Sequence, residues 1–160
     1  MKRVRKEHRY KGEKMVISKY LSIITLNVNG INAPIKVASI AKWIRKHDPQ
    51  ICCLRETHLR TKTLPRLKVK CWKKYSKQMD EGKKKVRIAI LISDKIDFKT
   101  KAIKTDTEGH FIIIKGRIHQ EHLNIVNIYV PNIRAYQYIR KILEDFKKDN
   151  RQLHMYTRGI

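Results

Sequence analysis

The strongest constraint on this chain is a strand, a helix and a second strand joined by short connections between residues 22 and 54. Ser22 to Leu26 is rich in β-branched residues and reads as a strand closed by Asn27-Val28-Asn29-Gly30, since Asn and Gly mark a turn. A helix is expected over Ile35–His47, with Ile40, Ala41 and Ile44 on one apolar face and Lys42, Arg45 and Lys46 elsewhere. Asp48-Pro49 ends it, because proline disfavours helical backbone in the residue before it. Ile51-Cys52-Cys53-Leu54 then reads as a buried strand of an α/β sheet. A βαβ unit sets its two strands parallel and adjacent. Asn27 and Glu56 therefore converge at one sheet edge, beyond the carboxyl ends of the strands, where open α/β sheets bind ligands.

A carboxylate in that position suits a hard divalent cation, Mg²⁺ or Mn²⁺. Taken alone, Glu56 reads rather as a solvated loop carboxylate, and it is the rest of the chain that favours the cation. Asn27 is likewise a common turn residue for backbone reasons.

Lys and Arg number 38 against 14 Asp and Glu, a net charge of +24. That excess favours a polyanion, nucleic acid before an anionic membrane surface; solubility alone requires less. No apolar run approaches the length of a membrane span. The basic residues concentrate in Arg60–Arg87, and the candidate nucleic-acid contacts are Lys62, Arg66, Lys68, Lys70, Lys73, Lys74, Lys83, Lys84 and Lys85. Leu67, Val69 and Cys71 alternate with Lys68 and Lys70, which predicts a strand with a solvated basic face. Trp72 and Tyr75 lie among lysines and suit either base stacking or a core. Met79 to Lys85, with Gly82, is expected to form a turn.

Val86–Ser93 and Phe111–Ile114, the latter running on to Ile118, are expected strands. Leu123–Val130 pairs with the second of them as a hairpin. His119 and His122 fall in its turn and read as surface residues rather than metal ligands. Ala135–Lys148 is expected to be a helix with Ile139, Ile142, Leu143 and Phe146 on one face. Cys52, Cys53 and Cys71 lack zinc-site spacing and suggest reduced thiols. Residues 1–20 form a basic leader without an apolar signal core, expected to be disordered. The expected location is nucleus or cytoplasm, not secretion. The oligomeric state stays open.

Three stretches stand in the order and spacing of one family: Thr25-Leu26-Asn27-Val28-Asn29-Gly30, Arg55-Glu56-Thr57-His58 and Asn127-Ile128-Tyr129-Val130-Pro131-Asn132. With Cys52-Cys53-Leu54, Ala89-Ile90-Leu91-Ile92-Ser93 and Glu108-Gly109-His110, the chain resembles the endonuclease domain of LINE-type retrotransposons. That domain belongs to the exonuclease–endonuclease–phosphatase superfamily, which includes the apurinic endonucleases. The resemblance runs from about Leu21 to Lys148. It implies a four-layer α/β sandwich, two packed mixed sheets with outer helices. It also implies Mg²⁺-dependent nicking of DNA that primes reverse transcription; RNA is a second candidate partner. Carried over by position, Glu56 would ligand the metal, Asn27 would orient metal and phosphate, and Tyr129 and Asn132 would line the scissile phosphate.

The chain departs from the family pattern in three places. Arg55 stands where the family has Gln, and could pair with Glu56 in competition with the metal. Arg87-Ile88 replaces an expected Gly. Residues 151–160 diverge, and the later Gly-Asp-Phe-Asn and Ser-Asp-His motifs, with the family's water-activating groups, do not follow. The expectation is a partial sandwich over residues 21–150, its second half missing and one face of the first sheet bare. Such a chain would be an inactive endonuclease by descent; a non-catalytic basic nucleic-acid binder or a degenerate retrotransposon remnant is the alternative.

Overall fold

A computed structural model describes residues 21–60, 67–76, 85–106, 108–129 and 135–149. The basic leader, Lys62, Arg66, Lys83, Lys84 and Asn132 lie outside the described residues. The elements run β1 (Ile23–Asn27), α1 (Pro34–His47), β2 (Ile51–Leu59), β3 (Trp72–Ser76), β4 (Val86–Ser93), β5 (Phe98–Thr105), β6 (Phe111–Ile118), β7 (Glu121–Ile128) and α2 (Ala135–Asp149). One sheet has the order β1-β2-β4-β3 and the other β5-β6-β7.

The expected βαβ unit is present: β1 and β2 are parallel, in register from Ile23 opposite Ile51 to Asn27 opposite Arg55. Pro34 opens α1 and Asp48, in left-handed backbone at φ 47°, closes it by donating its N–H to the Ile44 carbonyl. β2 pairs antiparallel with β4, and β4 with β3, so this first sheet is mixed. The second sheet is wholly antiparallel, where a mixed one was expected. Short hairpin connections between consecutive strands permit no other arrangement.

The layers follow from which faces are apolar. Val37, Ala41 and Ile44 of α1 cover Cys52, Leu54, Ala89 and Leu91 on the outer face of the first sheet. Ile51, Cys53, Ile88, Ile90 and Ile92 on its inner face meet Phe98, Ile112, Ile114 and Ile125 of the second. Phe111, Ile113 and Val126 on the far side of the second sheet lie under Phe146 and Ile142 of α2. The result is a helix–sheet–sheet–helix sandwich. It explains why Ile51 to Leu54 is apolar without alternation, since both faces are covered. The expected bare face does not occur, because β5–β7 cover it. The apolar face of α2 is only partly used: Phe146 is buried, while Ile139, Ile142 and Leu143 are half-exposed.

Two expectations are corrected. The alternating stretch from Leu67 to Cys71 is irregular, and the strand lies beyond it at Trp72–Ser76. Leu67 and Val69 are buried, but as plugs in the core beneath α1, and Cys71 is exposed at φ 72°. β5 was not expected from the sequence. Most of its residues are exposed and lysine-rich, as suits an edge strand protected by charge. The β6–β7 hairpin forms as expected; β3 pairs antiparallel with β4, and the turn expected from Met79 lies, except for Lys85, outside the described residues. No helix among the described residues is long and apolar enough to cross a membrane.

One polar residue sits inside the sandwich. Alternation along β7 turns Ile125 and Asn127 toward the first sheet. The buried Asn127 Nδ2 donates to the carbonyls of Leu54 and Ala89, each at 3.1 Å. This clasp ties β7 to β2 and β4 and fixes the register between the sheets.

Candidate functional site

The site begins where the two parallel strands end. Asn27 Oδ1 accepts from the Asn29 N–H at 3.2 Å, and its Nδ2 donates to Glu56 Oε1 at 2.8 Å. One carboxamide thus shapes the turn and orients the carboxylate. Beyond β1 the chain still follows β2: Val28 N–H bonds the Arg55 carbonyl, Gly30 N–H that of Glu56 and Ile31 N–H that of Thr57. Gly30 stands at φ 76°, a conformation that side chains disfavour.

β2 bulges at the same point. Arg55 faces Ile88 and Leu59 faces Val86, so Glu56, Thr57 and His58 stand against Arg87 alone. Glu56 at φ 53° and His58 at φ 47° occupy left-handed backbone. Thr57 anchors the bulge by donating its buried hydroxyl to the Val86 carbonyl at 2.7 Å, and Asn32 Nδ2 holds the His58 carbonyl at 2.8 Å.

Tyr129, one residue past β7, brings the second sheet into the site. Ile125, Asn127 and Tyr129 share a face by strand alternation, so the Asn127 clasp also places Tyr129. Its N–H donates to the His110 carbonyl at 2.8 Å, and its hydroxyl hydrogen-bonds Glu56. The hydrogen bonds from Asn27 and then Tyr129 hold the solvent-accessible Glu56 carboxyl below its ordinary range. Burial, then the bond to Glu56, pushes the Tyr129 hydroxyl up. The opposite shifts match a phenol donating to an ionised carboxylate.

The structure therefore brings Asn27, Glu56 and Tyr129 together from three strands in two sheets. The expected pairing of Arg55 with Glu56 is not made: among the described residues Arg55 forms no ion pair, and its Nε is buried without a hydrogen-bond partner. Neighbouring residues on a strand face opposite ways, and the bulge begins between these two.

Sequence reasoning missed one constellation beside Tyr129. Asp106 accepts from the N–H groups of His110 and Phe111 and from the Tyr138 hydroxyl, and meets His110 Nδ1 at 3.0 Å. Burial opposes its ionisation, but these hydrogen bonds prevail and hold Asp106 below the usual carboxylate range. His110 Nε2 lies 3.3 Å from an Arg87 guanidinium nitrogen. With Arg87 as donor, Nε2 accepts and the ring proton sits on Nδ1, facing Asp106. The only sequence signal was Asp106 four residues before His110 in a glycine turn. His119 and His122 are exposed, as expected.

The basic candidates divide. Lys68 and Lys70 are exposed, Lys73 is exposed on one face of β3, Lys74 is half-buried on the other, and Lys85 is exposed before β4. Burial, then the charge of Lys68, lowers the Lys74 ammonium pKa. Tyr75 packs between the sheets, its hydroxyl 2.7 Å from Thr100 Oγ1.

No group of three or more His, Cys, Asp or Glu suited to a metal occurs among the described residues. Glu56 is one accessible, ionised carboxylate with the Asn27 carboxamide beside it. This donor set fits a single hard cation that keeps most of its waters, and it does not fit zinc.

No family model matches the chain. Among solved structures it is similar to D. rerio TDP2 complexed with single strand DNA product, at TM-score 0.61 and 17% identity over 81% of this chain and 56% of that one. The endonuclease domain of TRAS1, a telomere-specific non-LTR retrotransposon, matches at TM-score 0.54 and 13% identity over 79% of this chain and 54% of that one. An AP endonuclease from Archaeoglobus fulgidus matches at TM-score 0.52 and 20% identity over 80% and 50%. The chain spans about half the length of these structures. At such identities the likeness establishes architecture alone: this chain has the sandwich fold of these structures.

Proposed function

We propose that Glu56 anchors one divalent cation, Mg²⁺ or Mn²⁺, beside which this chain positions a DNA phosphodiester, as a LINE-type endonuclease does when it nicks its target. The observation that carries this is the joint hold of Asn27 and Tyr129 on Glu56. The two donors keep the carboxylate ionised and aimed, so the anchor is formed in advance. When bound, the cation would supply Lewis-acid stabilisation of charge on the phosphate oxygens. Asn27 keeps a second amide hydrogen for those oxygens, and Tyr129 and Asn132 are assigned to the phosphate from their places in the motif.

The test is paramagnetic broadening by Mn²⁺ of isotope-labelled wild type and Glu56→Ala. Broadening centred on Asn27 and Tyr129, lost in the variant, is the expected result. Equal broadening in both proteins, or none in wild type, overturns the anchor. Supercoiled plasmid with Mg²⁺ then separates two roles. Nicking lost in Glu56→Ala or with chelator assigns hydrolysis to this chain. Retardation without nicking assigns it DNA binding alone, the role favoured by the many exposed lysines remote from Glu56.

A further inference from the structure

A second basic feature lies at the opposite end of the first sheet. It is a groove of about 620 Å³ on the outer face, lined by Arg45, Lys68, Lys70, Trp72 and Lys74 over Leu67 and Val69. Trp72 pairs with Ser93, whose N–H bonds the Gln50 carbonyl at the start of β2. Glu56 stands several residues further along β2, roughly 17–20 Å at the rise of an extended strand.

Three segments build the groove. Arg45 belongs to the last turn of α1. Leu67 and Val69 are buried in the core beneath α1, and their burial leaves Lys68 and Lys70 exposed. Alternation along β3 sets Trp72 and Lys74 on one face and sends Tyr75 to the other, between the sheets. Trp72 Nε1 donates to the Pro49 carbonyl at 3.0 Å, which fixes the half-buried indole at the groove wall. Among the described residues the lining contains no carboxylate, and Arg45, Lys68 and Lys70 have no acidic partner there. Burial, then the charge of Lys68, already opposes the Lys74 ammonium form. An anion in the groove would relieve both effects.

We propose that this groove binds single-stranded nucleic acid, with phosphates on Arg45, Lys68, Lys70 and Lys74 and one base on the indole of Trp72. Cations flanking a fixed aromatic wall match the way single strands are held, by charge along the backbone and stacking beneath the bases. A duplex keeps its bases stacked inside and offers none to an indole set in a groove wall. An acidic peptide would use the cations and leave Trp72 without a partner. The inference rests on nucleic acid being the polyanion this chain binds, and it does not depend on Glu56 chemistry.

The experiment uses a fluorescent oligothymidylate in chelator, so that no metal site contributes. Trp43→Phe provides the background, making Trp72 the remaining tryptophan of the two in the chain. Lys68→Glu/Lys70→Glu is compared with Lys99→Glu/Lys101→Glu, an equal charge change at exposed positions on β5. The groove pair is expected to lose on the order of tenfold or more in affinity and to abolish Trp72 quenching; the β5 pair should lose only a few-fold, with quenching intact. The slope of log affinity against log salt should fall by roughly 1.4 in the groove pair, about 0.7 for each phosphate contact removed. Lys68→Gln/Lys70→Gln, milder for folding, should show the same order of effects. Equal losses in both pairs, or binding without Trp72 quenching, would reject the groove while leaving nucleic-acid binding in place. Poly-glutamate binding as tightly as the oligothymidylate would transfer the groove to acidic peptides. No binding by any form would remove both the groove and the nucleic-acid partner.

Discussion

Asn27 donates its side-chain amide to Glu56 Oε1 across 2.8 Å, joining the ends of β1 and β2. With Tyr129 it lowers the pKa of that carboxyl from the ordinary 4.5. A group whose folded pKa is depressed contributes a stabilising term above its unfolded value, and loses it as pH falls through the folded value. Carbon-detected titration should therefore place the Glu56 midpoint below 4.5 in wild type and higher in Asn27→Ala. Mn²⁺ broadening should persist to lower pH in wild type than in the variant. Equal midpoints would show that the hydrogen bond does not tune the carboxylate.

The Asn127 clasp predicts a coupling between core and site. Asn127→Ala leaves the carbonyls of Leu54 and Ala89 without this donor inside the sandwich. Both carbonyls keep their partners in the β2–β4 ladder, so the loss is two net hydrogen bonds of about 0.5–1.5 kcal/mol each, a decrease that urea denaturation should register. The Tyr129 resonances should shift as well, because the clasp sets the height of β7 over β2. A stable variant with unmoved Tyr129 signals would show that the sheets hold register without the clasp.

The cysteines should separate by reactivity. Burial pushes the Cys52 and Cys53 thiols up to about 12, and both are buried, whereas Cys71 is exposed. A thiol reagent at neutral pH should modify Cys71 first in the native protein, and all three only after denaturant is added. Prompt native modification of Cys52 or Cys53 would mean that the first sheet opens far more readily than its packing implies.

The parts of the fold legible in the sequence were those governed by short connections and by burial on both faces. The helix between two short joints dictated parallel β1 and β2, and with them the approach of Asn27 to Glu56. The β6–β7 hairpin followed from two apolar runs around a polar turn. β5 was hidden because an exposed, lysine-rich edge strand lacks an apolar period. The alternation from Leu67 to Cys71 misled because Leu67 and Val69 plug a core without forming a strand. Within the site, the motif stretches led to Asn27, Glu56 and Tyr129. The link from Asp106 through His110 to Arg87 was not legible, since it joins the β5–β6 connection to β4, residues brought together only by the packing of one sheet on the other. The bulge was hidden for another reason: Glu and His are not the residues that ordinarily announce left-handed backbone.

That bulge has a consequence for how the chain would diversify. Glu56 and His58 hold conformations that cost an L-residue roughly 1–2 kcal/mol each, and glycine would relieve that cost at either position. A mutant library ranked by survival after heating should accumulate glycine at both. A library ranked by retention of Mn²⁺ should keep Glu56 and release only His58. Position 56 is thus where durability and chemistry make opposite demands on the same residue.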